Sequence, residues 1–266
     1  MITLEPIGGL GNRMRAIDSA LALAGALARP LRVIWTRTDD CRCRFGAIFD
    51  PLPGVTVVER GWWANRALRR LELWSGRHSR HVRQHDMRCL RGADYDFRLL
   101  ASERSVFIQT HERFQPSRER GFRMFVPIQP LRAEIDRLAS SFTDSTIGIH
   151  IRRGDHEPSH RHSPTSAFVE RISAEIARRP TAHFFLATDA PDVEDELQRM
   201  FGDRILTFRK PFGRTTEPGI RGAVVELYAL ARTTRILGSF YSSFSETAAE
   251  LGGIPLEIVA RQARAD

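Results

Sequence analysis

Lysine is almost absent from this chain, since Lys210 is the only lysine among 40 Lys and Arg residues. The formal net charge of +8 is therefore carried by arginine, a bias that we attribute to gene composition. Cysteine is also scarce, because Cys41, Cys43 and Cys89 are too few and too oddly numbered for a disulfide framework. We therefore expect a reducing, cytoplasmic compartment and no nucleic-acid partner.

Long apolar runs are missing as well. The longest, residues 20–28, has nine residues between Asp18 and Arg29. A bilayer-spanning helix needs about 20 apolar residues, and a signal peptide would lie at the N-terminus. We interpret this run as a core-packing helix of a soluble protein.

The basic charge is concentrated in residues 60–123, which hold 15 arginines against 7 acidic residues. This surplus equals the whole net charge of +8. Such a surface favours contact with an acidic acceptor or with an anionic membrane surface. The alternative is a solvated arginine-rich face that has no partner.

The second half of the chain alternates regularly between strand and helix patterns. Short connections between such elements predict a parallel sheet covered on both faces, a Rossmann-like domain. The predicted strands are 146–151, 183–187, 204–208, 234–237 and 256–259, and the predicted helices are 131–140, 164–178, 191–201, 217–232 and 243–251.

The first half is less regular. Its opening predicts a strand over 2–7, a glycine turn at 8–11, a helix over 14–28 and a strand over 31–35, with a further strand at 105–109. The arginine-rich stretch 62–96 is only partly helical in pattern. Prolines at 127 and 130 precede the regular half. We therefore predict two domains, 1–128 and 129–266.

Polar side chains follow three of the strands predicted in the second half. Arg152 follows the first of them, Asp189 the second and Ser242 the third. The carboxyl ends of parallel strands form the ligand-binding edge of such sheets. Guanidinium groups and the amides at a helix start suit phosphate oxygens, and a carboxylate suits a ribose or a base. A sugar nucleotide uses all of these groups.

Four ordered motifs carry a family resemblance: Gly8-Gly9-Leu10-Gly11-Asn12-Arg13-Met14, His150-Ile151-Arg152-Arg153-Gly154-Asp155, Phe185-Leu186-Ala187-Thr188-Asp189 and Gly238-Ser239-Phe240-Tyr241-Ser242-Ser243-Phe244-Ser245. Together they resemble the GDP-fucose-dependent α1,2-, α1,6- and protein O-fucosyltransferases. The nearest likeness is to the bacterial nodulation-type α1,6-fucosyltransferases. The motifs span residues 8–245, whereas the basic window does not match.

The resemblance implies an α/β fold of GT-B type, in which two Rossmann-like domains flank a cleft and the C-terminal one binds the donor. It implies inverting transfer of L-fucose from GDP-fucose to a glycan hydroxyl, with no metal or other cofactor. Arg152 would clamp the donor β-phosphate, and Glu157 or Asp155 would be the catalytic base. The positions implied for donor binding are Asn12, Arg13, His150, Arg153, Asp189, Ser242, Ser243 and Phe244.

Several of these residues have a plain structural alternative. Arg152 could form an ion pair with Asp155, and His150 could be a satisfied strand histidine. Asp189 could cap the helix that begins at Pro191, and Asn12 could serve the backbone of the glycine turn.

Other patterns are weaker. A zinc site at His78, His81, His85 and Cys89 is disfavoured because it has no paired cysteines. The triplet Asp94-Tyr95-Asp96 resembles a metal clamp but lies outside the regular sheet, and the glycine turn lacks the third glycine of a dinucleotide site. Two rival functions stay open: transfer of another sugar from its GDP donor, and a non-enzymatic basic protein that binds nucleic acid or an anionic polymer.

Overall fold

The computed structural model describes residues 1–65, 67–68, 76–116, 121–154 and 157–261. The chain divides into two compact units. The first unit comprises Met1–Ile128 with Arg214–Ile220, and the second comprises Gln129–Gly213 with the chain from Arg221 onward. Each unit contains one five-stranded sheet.

The first sheet is entirely parallel, in the order β3-β2-β1-β5-β4. Its strands are β1 (Ile2–Pro6), β2 (Leu31–Arg37), β3 (Val55–Gly61), β4 (Arg80–Val82) and β5 (Val106–Thr110). The helices of this unit include α1 (Leu10–Ala26) and α2 (Gln84–Gly92). All five residues of β1 are buried, as expected for the central strand of a sheet covered on both faces.

An aromatic cluster forms the core next to β2. Trp35 contacts Phe45, which contacts Phe49, which contacts Phe125, with ring centroids 5.3 to 5.5 Å apart. The indole nitrogen of Trp35 donates to the carbonyl of Cys43 at 2.8 Å. This bond satisfies the one polar atom of a fully buried indole.

The second sheet is also entirely parallel, in the order β10-β9-β6-β7-β8. Its strands are β6 (Thr146–Ile151), β7 (His183–Thr188), β8 (Ile205–Thr207), β9 (Ile236–Gly238) and β10 (Leu256–Ile258). The helices are α3 (Gln129–Ala139), α4 (Glu157–His162), α5 (Thr165–Arg178), α6 (Pro191–Phe201), α7 (Glu217–Leu230) and α8 (Ser243–Gly252).

The central strand β6 is buried along its whole length. Its isoleucines pack with apolar side chains of the neighbouring strands and helices, which include Phe168, Ile172, Phe184, Leu186, Val193, Leu197 and Leu237. Its sequence alternates, with Ile147, Ile149 and Ile151 separated by Gly148 and His150. That alternation is why residues 146–151 were predictable as a strand from the sequence.

The predicted α/β fold with two Rossmann-like sheets is confirmed. In the regular half, each predicted element matches the observed one to within two residues at either end, but the short helix α4 was not predicted. The predictions for the first half missed β3, β4 and α2. They also started α1 four residues late, because its first turn contains Gly11 and Asn12.

One glycine of the second unit has no room for a side chain. A Cβ at Gly252, the last residue of α8, would lie 2.3 Å from the carbonyl oxygen of Ala231. That atom belongs to the backbone and cannot rotate away. In contrast, a Cβ at Gly25 in α1 would meet nothing within 4 Å.

We therefore predict opposite effects for two Gly→Ala substitutions in helices. Gly252→Ala should lower the free energy of unfolding by about 1 to 3 kcal/mol, the range for overpacking. Gly25→Ala should raise it by up to about 1 kcal/mol through helix propensity. Urea denaturation of both variants measures the difference, and equal stability of Gly252→Ala and the unsubstituted chain would contradict the packing described here.

Candidate functional site

Three strand ends meet at the carboxyl edge of the second sheet. β6 lies between β7 and β9, with Ile151 opposite Thr188 and His150 opposite Gly238. The residues that follow these strands are therefore neighbours. The structure brings together Arg152, Asp189 and Ser239 from three separate motifs, as the sequence predicts.

Arg152 is fixed at this edge by its backbone and by its side chain. Its amide donates to Ser239 Oγ at 2.9 Å, and its Nη1 donates to Asp189 Oδ2. The other carboxylate oxygen of Asp189 accepts the Arg153 amide at 2.7 Å. The side chains of Arg152 and Asp189 are 24% and 27% exposed. The guanidinium is thus oriented by the protein and still reachable from solvent.

Asp189 does not cap α6, because the N-cap residue of that helix is Ala190. Its carboxylate bonds the arginine motif instead. Gly154 permits this approach: its φ is +46°, and a Cβ there would lie 2.9 Å from Asp189 Oδ2. The left-handed conformation and the close contact both require glycine.

Arg153 has a more structural position than Arg152. Its Nη1 donates to the carbonyl of Arg152 at 2.9 Å, and its Nη2 donates to Thr165 Oγ1 at 2.9 Å. The residue is buried. The donor-binding role predicted for it stays a prediction, and these contacts show it bracing the turn that carries Arg152.

His150 links β6 to the start of α8. Its Nδ1 lies 2.7 Å from Ser245 Oγ and 3.4 Å from Ser242 Oγ, and its ring stacks on Phe244 with centroids 4.7 Å apart. Burial, and then the positive charges of Arg152, Lys210 and Arg153, lower the pKa of His150 to about 3. The ring is therefore neutral at physiological pH.

The serine turn, residues 239–245, comprises the loop before α8 and the first three residues of that helix. The Phe240 amide donates to Ser163 Oγ at 2.8 Å, and Ser159 Oγ donates to the Phe240 carbonyl at 2.9 Å. Ser242 is buried, while Ser243 opens the helix. Ser159 and Ser163 thus fix the backbone of this turn. The first amides of the ten-residue helix α8 lie at the same edge of the sheet as Arg152. Helix N-termini of this kind favour anions.

Of the two predicted catalytic acids, the structure describes only Glu157. Glu157 is the exposed first residue of α4. Asp155 lies outside the described residues, so the predicted ion pair between Arg152 and Asp155 cannot be compared with the Asp189 pair.

Asn12 and Arg13 lie in the first unit, in the first turn of α1. The Arg13 guanidinium donates to Gly8 O, Thr36 O and Thr38 Oγ1 at 2.7 to 2.8 Å and lies over the Trp35 ring. These bonds hold the glycine turn against β2, which favours a structural role for Arg13. Asn12 Oδ1 accepts from Arg15 at 2.9 Å, and its donor-binding role stays a prediction.

Two further residues near the carboxyl edge of the second sheet were not predicted. Lys210 and Glu226 form an ion pair in which both side chains are 5% exposed, and Lys210 Nζ donates to the carbonyl of Thr188 at 3.1 Å. Burial raises the pKa of Glu226 to about 7 in spite of the adjacent ammonium. The signals were the single lysine in an arginine-rich chain and one acid within the apolar run 223–230.

The weaker sequence patterns have structural roles where they are described. Asp96 accepts hydrogen bonds from the amide and guanidinium of Arg98. No group of three His, Cys, Asp or Glu side chains with metal-binding geometry occurs among the described residues. In the same part of the chain, none of the helices combines the length and apolar character needed to cross a bilayer.

The depressed pKa of His150 predicts a pH dependence of stability. Below pH 6.5 the unfolded chain binds a proton at this histidine that the folded chain does not bind until about pH 3. Its contribution to folding is therefore complete above pH 6.5 and decreases as the pH falls toward 3, with a slope of about 1.4 kcal/mol per pH unit. His150→Asn, which keeps an acceptor near Ser245, should lose this slope. Urea denaturation between pH 4 and pH 8 tests this, and identical slopes would contradict it.

No family model and no curated protein sequence matches this chain, but solved structures do. NodZ α-1,6-fucosyltransferase co-crystallised with GDP is 20% identical, with a TM-score of 0.64 over 94% of this chain and 92% of that one. NodZ is a fucosyltransferase from Bradyrhizobium. A mutant of Arabidopsis thaliana FUT1 in complex with GDP is 16% identical, with a TM-score of 0.62 over 96% of this chain and 69% of that one.

POFUT1 in complex with GDP-fucose is 12% identical, with a TM-score of 0.55 over 97% of each chain. Identities this low carry the fold and not the reaction. The chain therefore has the GT-B-like, two-sheet α/β fold found in these fucosyltransferases.

Proposed function

We propose that this chain is a glycosyltransferase that moves L-fucose from GDP-fucose to a glycan hydroxyl. The observation that carries the proposal is the carboxyl edge of the second sheet, where the Arg152 guanidinium, the hydroxyls of the serine turn and the N-terminal amides of α8 are hydrogen-bond donors for one anion. The fold adds support, because NodZ was solved with GDP and POFUT1 with GDP-fucose.

In the proposed reaction, the bond from fucose C1 to the β-phosphate oxygen breaks while an acceptor oxygen attacks C1 from the opposite face. Inversion at C1 follows from this geometry. Negative charge grows on the departing GDP, and Arg152 with the helix amides stabilises it more in the transition state than in the ground state. We propose that these groups do so without a metal ion.

The acceptor hydroxyl loses its proton as it attacks, and a carboxylate takes that proton. Glu157 and Asp155 are the proposed candidates, since Asp155 ends the arginine motif and Glu157 lies two residues after it. His150 is a poor candidate because its depressed pKa makes the ring a weak base and its Nδ1 is committed to the serine turn. We place the donor in the second unit and the acceptor side in domain 1–128.

The second candidate function keeps the fold and changes the sugar, because none of the contacts described at this edge selects a particular hexose. A donor-hydrolysis screen over GDP-fucose, GDP-mannose and UDP-sugars decides between them and needs no acceptor. We expect GDP-fucose to be hydrolysed fastest. Faster release from GDP-mannose would favour the second candidate, and turnover of UDP-sugars alone would contradict both.

The basic window, residues 60–123, supports the remaining rival, a protein that binds nucleic acid or another anionic polymer. Part of that charge is neutralised within the described residues, as Arg91 and Arg88 both pair with Glu112. Calorimetry with GDP and with a short DNA duplex separates the two functions. Vesicles with anionic lipid test the membrane contact that the same window suggests.

We predict that Arg152→Ala loses about 2 to 5 kcal/mol of transition-state stabilisation, the range for truncating one partner of a desolvated charge pair. The measurements are the GDP Kd and kcat/KM for GDP-fucose hydrolysis. Arg232→Ala is the matched control, because it removes an exposed Arg–Asp pair of the same unit and should change neither value. Unaltered GDP binding and turnover in Arg152→Ala would defeat the assignment.

We also predict that one carboxylate variant separates binding from chemistry. Glu157→Gln or Asp155→Asn, whichever removes the base, should lower kcat of GDP-fucose hydrolysis by roughly 10²- to 10⁴-fold and leave the GDP Kd within about twofold. The other variant is the internal control. If both variants hydrolyse GDP-fucose at the original rate, neither carboxylate is the base.

A further inference from the structure

Lys210, the only lysine of the chain, is enclosed beside the donor edge. Its Nζ pairs with Glu226 of α7, donates to the carbonyl of Thr188 at 3.1 Å and lies 4.8 Å from the centre of the Phe212 ring. The ammonium thus has an anion, a carbonyl and an aromatic face around it. An ammonium is strongly hydrated in water, so this much desolvation requires such partners.

α7 has a groove that fits the stem of this lysine. A Cβ at Gly222 would lie 2.7 Å from Lys210 Cβ and 2.9 Å from its Cδ. Gly222 precedes Glu226 by four residues and therefore lies on the same face of the helix. The aliphatic stem of Lys210 therefore packs against Gly222, and its ammonium pairs with Glu226 one turn later.

The carbonyl that Lys210 holds belongs to the turn that orients Arg152. Thr188 Oγ1 donates to Ile151 O at 2.9 Å and accepts the Ala190 amide at 3.2 Å. The next residue, Asp189, binds the Arg152 guanidinium. Lys210 therefore holds, through one carbonyl, the end of the strand whose following carboxylate orients Arg152.

A purely stabilising role explains this pair poorly. Burying two charges costs desolvation that their attraction only partly offsets, and apolar replacements of such pairs are often neutral or stabilising. We therefore expect the Lys210–Glu226 pair to matter for the positions of its neighbours and not for stability. Groups that support a binding residue must fix its orientation to within a fraction of an ångström.

We propose that Lys210, held by Glu226, is a positioning residue for donor binding: it fixes the Thr188–Asp189 turn and through it directs the Arg152 guanidinium at the diphosphate. This inference rests on the proposed function for the identity of the ligand. The inference itself concerns only how one guanidinium is oriented toward a diphosphate. The affinity for a diphosphate probe that carries no sugar or base can therefore test it.

The test is a double-mutant cycle between Lys210→Met and Arg152→Ala, with inorganic pyrophosphate and GDP as probes in calorimetry. Lys210→Met alone should weaken binding of both probes by roughly 10- to 100-fold, as removal of an outer partner does at other binding sites. In the Arg152→Ala background the same substitution should change affinity by less than about twofold, because residues that act through one another are not additive.

Arg171→Met is the matched control. Arg171 pairs with the buried Glu175, and Arg178 and Arg235 pair with the same carboxylate. Arg171→Met therefore removes one cation from a buried carboxylate at the amino edge of the sheet, and probe affinity should be unchanged. If Lys210→Met does not fold, Glu226→Gln keeps an acceptor for the ammonium without its charge and should give a smaller loss with the same non-additivity.

Each remaining outcome is decisive. Equal losses from Lys210→Met with and without Arg152 would overturn the positioning role, as would unaltered affinity in Lys210→Met. If both probes bind with the expected coupling while no GDP-sugar is hydrolysed, the proposed function fails and the positioning role stands. A chain that binds neither probe overturns both.

Discussion

The pairing of Arg152 with Asp189 is the constraint on which the candidate site depends. The two residues are 37 positions apart and meet only because β6 and β7 are parallel neighbours in fixed register, with Ile151 opposite Thr188. A shift of one residue would turn the side chains of one strand to the opposite face. The two faces of β6 differ, because a Cβ at Gly148 would lie 2.7 Å from Thr233 Oγ1, so the isoleucines of β6 cannot turn to that face. The packing of the sheet and the orientation of the Arg152 guanidinium therefore depend on the same strand.

The sequence predicted the second unit well because its strands are short apolar runs between glycines, prolines and amphipathic helices. Thr146–Ile151 and Pro191–Phe201 match the prediction at both ends. The first unit was harder, because β3 is only partly buried at the sheet edge and β4 consists of Arg-His-Val. Edge strands carry polar residues, so their apolar pattern is weak. Pairing with β2 and β5, which sequence periodicity does not report, makes them strands.

The residues of the candidate site also differ in how well the sequence predicted them. The positions of His150, Arg152 and Asp189 could be predicted from the strand pattern alone, because neighbouring parallel strands bring their carboxyl ends together whatever the conformation of the loops. Lys210 follows a three-residue strand and reaches Glu226 from an irregular segment, so no periodicity pointed to it. Arg13 shows the opposite difficulty. A glycine turn before a helix is typical of phosphate cradles, but the sequence does not say that the guanidinium bonds the carbonyls of its own unit.

Because His150 is neutral, it does not contribute to the positive charge at the carboxyl edge of the second sheet. Burial disfavours an imidazolium at this position, and the positive charges of Arg152, Lys210 and Arg153 disfavour it further, which is why the pKa of His150 is so low. The positive character of the edge therefore comes from guanidinium groups and helix amides, and neither changes protonation in the physiological range. The ring provides a fixed hydrogen bond between β6 and the serine turn instead. Consequently, any titration of the proposed transfer near neutral pH would have to come from the carboxylates around this edge and not from the groups proposed to bind the phosphates.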